Sequence, residues 1–231
     1  MISESDKIKY LQGFEELTEN EKWIYVEGKS NGVFYKRYSE FGRLPIKSGG
    51  SCSNIIALVK NNKNRFGIID NDYRLNFNID RVYTVNFYSI ENISLLFCPI
   101  LEGLRQEIQK FAFKYDFESL RKGKLSSDIS RSLDYRPLEY SISLSGFENE
   151  PEILHYLENK IQCIEDVYRY KRLKSEVEKY VVFLKETRGK GFIKQFEFCY
   201  LIDLLPSKEL YFIFERNVFE RLQSDLLVYN N

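Results

Sequence analysis

The chain has 231 residues, of which 43% are hydrophobic and 16% aromatic, and its 34 basic residues equal its 34 acidic ones. That length and apolar content support a real core, in one large domain or two small ones, and exclude a disordered chain. The even charge balance lends no support to nucleic-acid binding, although a local basic groove needs no net charge. No apolar run reaches membrane-spanning length, and the polar start Met1-Ile2-Ser3-Glu4-Ser5-Asp6 is unlike a secretory signal. Cys52, Cys98, Cys163 and Cys199 are scattered, with no Cys-x-x-Cys pair. That argues against a zinc site and fits reduced thiols in a cytoplasm. His155 is the single histidine, which leaves little room for histidine-based catalysis or metal binding.

In chain order, a polar helical lead-in is predicted over residues 4–19. A strand over 22–26 follows, then the loop Glu27-Gly28-Lys29-Ser30, with Ser30 capping a helix over 31–41 that turns Val33, Phe34 and Tyr38 to one face. Leu44-Pro45-Ile46 reads as a short strand and Ser48-Gly49-Gly50-Ser51 as a turn, after which Ser53 or Asn54 opens a helix to 62. Strands are expected over 66–69 and 81–85, and Ser89 caps a helix carrying Glu91. Strand and helix in alternation imply right-handed crossovers and a parallel sheet.

Beyond Pro99 the pattern becomes helical. Leu104, Ile108 and Phe111 repeat at helical spacing in 101–115, and a long pattern after Pro151 extends through Leu184. The turn Arg188-Gly189-Lys190-Gly191 interrupts it, with more helix over 192–205 and 208–222. The stretch 120–149 carries the least signal, with a strand possible at 140–144. The expected fold class is α/β, a parallel sheet flanked by helices and followed by a mostly helical C-terminal region, with domains at 1–100 and 101–231.

Four acidic residues fall where apolar elements end or begin: Glu27 after Trp23-Ile24-Tyr25-Val26, Asp70 and Asp72 after Phe66-Gly67-Ile68-Ile69, and Glu91 in Ser89-Ile90-Glu91-Asn92. Carboxylates after buried strands lie at the carboxyl edge of a sheet, where open α/β folds bind ligands. Gathered there they repel one another, and a hard cation such as Mg²⁺ would neutralise them. Asp70 and Asp72 converge only if Asp70 ends the strand and Asp72 lies in the loop beyond, because extended alternation would point them to opposite faces.

Strand-Glu-Gly, strand-Asp-x-Asp and Ser-x-Glu, in this order, resemble the Toprim fold of topoisomerases, primases and overcoming-lysogenization-defect nucleases. The likeness is closer to the Toprim-like nuclease effectors, of the PARIS type, encoded in phage-defence loci beside an ABC-type ATPase. It rests on Val26 to Ser30, Gly49-Gly50, Gly67 to Arg74 and Ser89 to Asn92, and covers roughly residues 20–100. The resemblance implies that Glu27 is the acid/base or a metal ligand, that Asp70 and Asp72 hold Mg²⁺ or Mn²⁺, and that Glu91 completes the metal site. It further implies phosphodiester hydrolysis of a nucleic acid, RNA such as tRNA being favoured, by the toxic effector of an anti-phage defence system whose partner ATPase holds it inactive. The sequence departs from the family at Asn31, where an acid is expected, and at Asn71, where a base is common.

A nuclease also needs a cation near the scissile phosphate. Lys190, in its glycine-flanked turn, is the catalytic candidate, with Lys29 and Arg74 as alternatives. Tyr168-Arg169-Tyr170-Lys171-Arg172-Leu173-Lys174 has the composition of a nucleic-acid surface but reads first as the solvated face of a long helix. Arg121-Lys122-Gly123-Lys124 is similarly ambiguous, and His155 reads as a partly buried helix residue. Two other functions stay open: a haloacid-dehalogenase-like phosphatase with Asp70 as nucleophile, and a non-catalytic module that docks on nucleic acid or the ATPase. No membrane partner is expected, a homodimer is plausible, and the expected location is cytoplasmic.

Overall fold

The computed structural model describes residues 21–42, 44–115, 121, 150–188 and 201–227. The lead-in at 4–19, Lys122 to Lys124, the possible strand at 140–144 and the turn holding Lys190 lie outside the described residues. The expected α/β architecture is present: a four-stranded, wholly parallel sheet in the order β2-β1-β3-β4, flanked by helices and followed by a helical C-terminal region. The strands are β1 (Trp23–Glu27), β2 (Ile46–Gly50), β3 (Arg65–Ile69) and β4 (Val82–Thr84). All five residues of β3 are buried, as a central parallel strand requires.

Side-chain alternation divides the core. Ile24, Val26, Phe66 and Ile68 join the large cluster on one face, while Ile69 and Val82, with Tyr25 against them, join Ile55 and Val59 on the other. Ile55 belongs to α2 (Cys52–Asn61), which lies close on the sheet. A Cβ at Gly49 or Gly67 would come within 2.6 Å of the Ile55 side chain, so both strands need glycine there. Gly49 and Gly50 end β2 instead of forming the expected turn, Gly49 making room for Ile55 and Gly50 adopting φ +80° ahead of α2. Ser51, upstream of the predicted start, caps α2 by accepting a bond from Asn54 N at 3.4 Å.

The helix expected over 31–41 is α1 (Gly28–Tyr35) plus a 3₁₀ turn at Ser39–Phe41. Gly28, at φ +70°, turns the chain directly out of β1, so Glu27 and not Ser30 takes the N-cap position. The buried face shifts with it to Phe34, Tyr35 and Tyr38, and Val33 is exposed. α3 (Ile90–Phe97) begins after Ser89 as expected, but the Ser89 hydroxyl does not cap it; it donates to Asn92 Oδ1 at 3.0 Å.

In the helical half, α4 (Glu102–Tyr115) follows the predicted periodicity. The long helix after Pro151 is instead three: α5 (Glu150–Lys160), α6 (Ile164–Tyr170) and α7 (Lys174–Arg188). At the first break, Asp166 accepts bonds from Gln162 N and Cys163 N at 3.0 and 3.2 Å, capping α6. At the second, the fully buried Asn92 carboxamide donates to the Tyr168 and Lys171 carbonyls at 2.7 and 2.8 Å, and Lys171 is extended. Short helices α8 (Leu201–Leu204) and α9 (Arg216–Leu222) follow. One cluster of buried side chains runs from Ile24 to Leu226 and draws on both halves. Among the described residues no helix is long and apolar enough to cross a membrane.

The segment Tyr168 to Lys174 is not a solvated face: Tyr168, Tyr170, Lys171 and Leu173 are buried. The helix that would have exposed them ends at Tyr170. Lys171 is fully enclosed, its Nζ finds no hydrogen-bond partner among the described residues, and burial pulls its pKa down to about 7. The unfolded chain therefore holds an extra proton between about pH 7 and the ordinary lysine value of 10.5, and stability rises with pH across that window.

Lys171→Met should therefore raise the melting temperature at pH 7, and thermal scans should show the gain fading as pH approaches about 10.5. A gain independent of pH would show that the amine is not buried uncharged. Asn92→Leu should cost about 2–4 kcal/mol in urea unfolding, since two buried carbonyls lose their donors. A loss under about 0.5 kcal/mol, within the range of an ordinary surface change, would mean that something else ends α6.

Candidate metal centre

The sheet register brings the first two acids together. β1 and β3 are the central strands, with Val26 level with Ile68, so Glu27 comes level with Ile69 and Asp70 follows one residue further on at the same carboxyl edge. The Asp70 backbone N–H donates to Glu27 Oε1 at 3.3 Å, which orients the glutamate. Asp70 follows the last residue of β3, and Asp72 lies in the loop beyond, at φ +43°, as convergence requires. Tyr73 is also left-handed, at φ +59°. Two such residues in succession carry backbone strain that must be held from outside. Asp72 N donates to the Tyr88 carbonyl at 3.0 Å, the Tyr73 ring meets Tyr88 edge-on at 4.8 Å, and the Tyr73 hydroxyl accepts from Arg172 N at 2.9 Å.

That last bond ties the loop to the break between α6 and α7, and the break sets the cation. Lys174, the first residue of α7, lies 3.6 Å from Glu91 Oε1 and 4.0 Å from Asp70 Oδ2. Arg74 Nη2 stands 3.6 Å from Asp72 Oδ2. Asn31, which replaces the acid expected there, donates through Nδ2 to Asp70 Oδ1 at 3.4 Å and so adds a dipole where a fifth negative charge would have stood. Glu91 is 8% exposed, and its Oε2 is buried without a hydrogen-bond partner among the described residues.

The electrostatics follow from burial and crowding. Asp70 is 1% exposed; burial, then Glu91, Glu27 and Asp72, push its carboxyl well above the ordinary value, against Lys174. Burial and then Asp72 raise Glu27, and burial raises Asp72 although Arg74 and Lys174 oppose it. Burial alone would lower Lys174, but Glu91, Asp70, Asp72 and Glu178 together hold it above its ordinary value. Tyr35, fully buried, is raised by burial and then by Asp70, and its hydroxyl is unpartnered among the described residues.

All four predicted acids thus meet at one site. Four carboxylates face two cations, Lys174 and Arg74, so full ionisation leaves two negative charges uncompensated, the charge of one Mg²⁺ or Mn²⁺. The all-oxygen donor set and the orphaned Glu91 Oε2 fit such an ion. Glu27, Asp70, Asp72 and Glu91 are the residues that would hold it. Among the described residues no group of three or more His, Cys, Asp or Glu stands close enough together to enclose a metal as placed, so the four acids fit the ion by donor chemistry and charge and would have to draw in around it.

Lys190 lies outside the described residues, and Lys29 is exposed. Sequence reasoning missed Lys174, Tyr88 and Asn92. One signal was there for Lys174: a lysine opening a helix opposes the helix dipole, which disfavours a cation at that end unless something else holds it. His155, expected to be partly buried, is exposed on α5. No family model, curated protein or solved structure matches the chain.

Raised carboxyl pKa values mean that the cluster stabilises the fold below about pH 4, the unfolded carboxyl range, and loses that contribution as pH rises through the folded values. Asp70→Asn should therefore leave the metal-free protein nearly unchanged at pH 4. At pH 7 it should raise the melting temperature, by about 2–4 °C for each ~1 kcal/mol of repulsion removed. Excess Mn²⁺ should stabilise the parent at pH 7 and the variant much less. Equal stabilisation of both by Mn²⁺ in scanning fluorimetry would take Asp70 out of the metal site.

Proposed function

We propose that the chain is a metal-dependent nuclease that hydrolyses phosphodiester bonds at this carboxylate cluster. The convergence of Glu27, Asp70, Asp72 and Glu91 on Lys174 at the carboxyl edge of a parallel sheet carries the reading. A divalent cation bound there would polarise the phosphoryl oxygens and lower the pKa of an attacking water. Glu27, raised by burial and Asp72 and oriented by the Asp70 N–H, is the proton carrier, since a lifted carboxyl exchanges protons closer to neutral pH. Lys174 supplies fixed positive charge for the oxygens that become more anionic in the transition state. It takes the part that the sequence assigned to Lys190.

The finer proposal is a Toprim-like effector of an anti-phage defence system, acting in the cytoplasm on RNA such as tRNA and restrained by an ABC-type ATPase partner, with a homodimer as the working assembly. It is supported by the order and spacing of the motifs and by the parallel sheet beneath them. The phosphatase reading is disfavoured because Asp70 is followed by Tyr73-Arg74 and not by the usual Thr, and because Glu27, whose side chain accepts a bond from the Asp70 N–H, would be left without a role. The non-catalytic module keeps one observation in its favour: Lys174 already lies between two of the acids.

The test is cleavage of tRNA, other RNA and plasmid DNA by the purified chain, alone and with the partner ATPase, with Mg²⁺ or Mn²⁺. Glu27→Gln and Lys174→Ala should each slow metal-dependent cutting by about 10²–10⁴-fold, the range for a lost acid/base or charge-stabilising group. Lys190→Ala, run beside them, should cost less than tenfold, a change of under about 1.4 kcal/mol. Cutting that survives chelation, or that Glu27→Gln leaves intact, would overturn the reading, and no cutting at all would favour the docking module.

A further inference from the structure

Next to the carboxylates lies a cavity of about 800 Å³, within the ~300–1,000 Å³ range of small-molecule sites. The loop after β3, the end of β4, helix α5 and the start of α9 wall it. Four carboxamides line it, those of Asn71, Asn76, Asn159 and Asn217, together with the rings of Phe77 and Tyr156. Its charged lining residues balance in sign: Lys160 Nζ lies 2.9 Å from Glu215 Oε1, and Arg74 and the exposed Glu152 are the other two. A highly anionic ligand would meet Glu152 and Glu215 there, and among the described lining residues only Arg74 offers a cation not already paired inside the cavity. A neutral, flat, polar group would find rings for its faces and amides for its edges.

Arg74 joins the cavity to the carboxylates. Its side chain lines the cavity, its Nη2 stands 3.6 Å from Asp72 Oδ2, and its buried Nε has no acceptor among the described residues. A ligand with a neutral planar part and one anionic group would satisfy both ends. That is a nucleotide: the base in the cavity and the phosphate toward Arg74.

We propose that this cavity is a nucleobase site, which reads the base of the nucleotide whose phosphate approaches the carboxylates. The proposal rests on the nuclease reading only for the direction in which the strand runs. Uncharged carboxamides carry both a donor and an acceptor, as base edges do, and the phenyl and phenol rings offer stacking surfaces. Asn159 and Asn217 are exposed to solvent, and Asn159 Nδ2 is 3.1 Å from His155 Nε2, a contact that a base edge can replace. Asn71 belongs here too. It departs from the resemblance by lacking the basic residue common at that position, and the change keeps this wall neutral.

The test is isothermal titration calorimetry of the full chain in EDTA, with the four ribonucleoside 5′-monophosphates and with ribose 5-phosphate, which keeps the sugar and phosphate and lacks the base. At least one nucleotide should bind about tenfold or more tighter than ribose 5-phosphate, the ratio that one base–aromatic stack supplies. Asn159→Ala with Asn217→Ala should remove most of that preference without moving the melting temperature, and Glu27→Gln should retain it. Ribose 5-phosphate binding as well as every nucleotide, no binding by any of them at millimolar concentration, or a double variant that binds like the parent would each overturn the proposal. A single-stranded oligonucleotide, intact or with one abasic residue, separates the two sources of the ligand. Weaker binding of the abasic strand assigns the site to a strand, and a preference seen only with free nucleotides assigns it to those. Because binding is read without metal, a chain that binds bases and cuts nothing loses the nuclease reading alone. A chain that cuts and ignores the base loses this one alone.

Discussion

The buried carboxamide of Asn92 holds together the two halves on which the site depends. Its two donor hydrogens satisfy the Tyr168 and Lys171 carbonyls, and its oxygen is fixed by the Ser89 hydroxyl. A helix running on from α6 would have bonded those carbonyls itself, so the asparagine substitutes for the next turn and lets the chain leave the helix. The chain resumes as α7 with Lys174 at its start, facing Asp70 and Glu91. One polar side chain on the sheet side thus determines where the helical side delivers its cation. Because Asn92 lies one residue after Glu91 on α3, the acid and the group that places its counter-charge are positioned by the same helix turn.

Around this contact the site is built as a deliberate shortage of positive charge. Parallel register sets Glu27 beside Asp70, a left-handed loop swings Asp72 inward, and α3 supplies Glu91. Lys174 and Arg74 answer part of that charge. In the metal-free protein burial and mutual repulsion hold these carboxyl groups above their ordinary range, so protons relieve the excess charge more readily than they would in water. A divalent cation bound there would compete with protons for these carboxylates, so its affinity would depend on pH.

The surrounding structure carries the cost. Asp72 and Tyr73 are kept in unfavourable backbone conformations by Tyr88 and by the Arg172 N–H, and Lys171 is enclosed without a partner among the described residues at the junction that Asn92 closes. Such features persist only where neighbouring contacts over-determine them, and they cluster where ligands are handled. The polar, ring-lined cavity opens beside the same strained loop, with Arg74 common to both.

Much of this arrangement was legible in the residues. Short apolar runs ending in acids gave the parallel sheet and its carboxyl-edge cluster, because burial pattern and strand termini are local properties of the chain. Glu27, Asp70, Asp72 and Glu91 were therefore singled out by their places at the ends of apolar elements, and their roles at a metal site by the resemblance, whereas α3 and α4 were placed by spacing. The start of α1 was misplaced because Gly28 adopts a positive φ that spacing does not reveal, and Gly49-Gly50 passed for a turn because Gly49 is there to admit Ile55 from another element. The break after α6 was invisible for a deeper reason. The apolar repeat that starts at Ile153 resumes at Val177 and reaches Leu184, so the basic stretch between reads as part of one helix, and it is Asn92, some eighty positions earlier, that supplies the hydrogen bonds to the carbonyls where the helix ends. Sequence determined which residues carry negative charge to the sheet edge. Tertiary structure decided which lysine meets them, because a counter-charge is chosen by proximity across the fold and leaves no period in the chain.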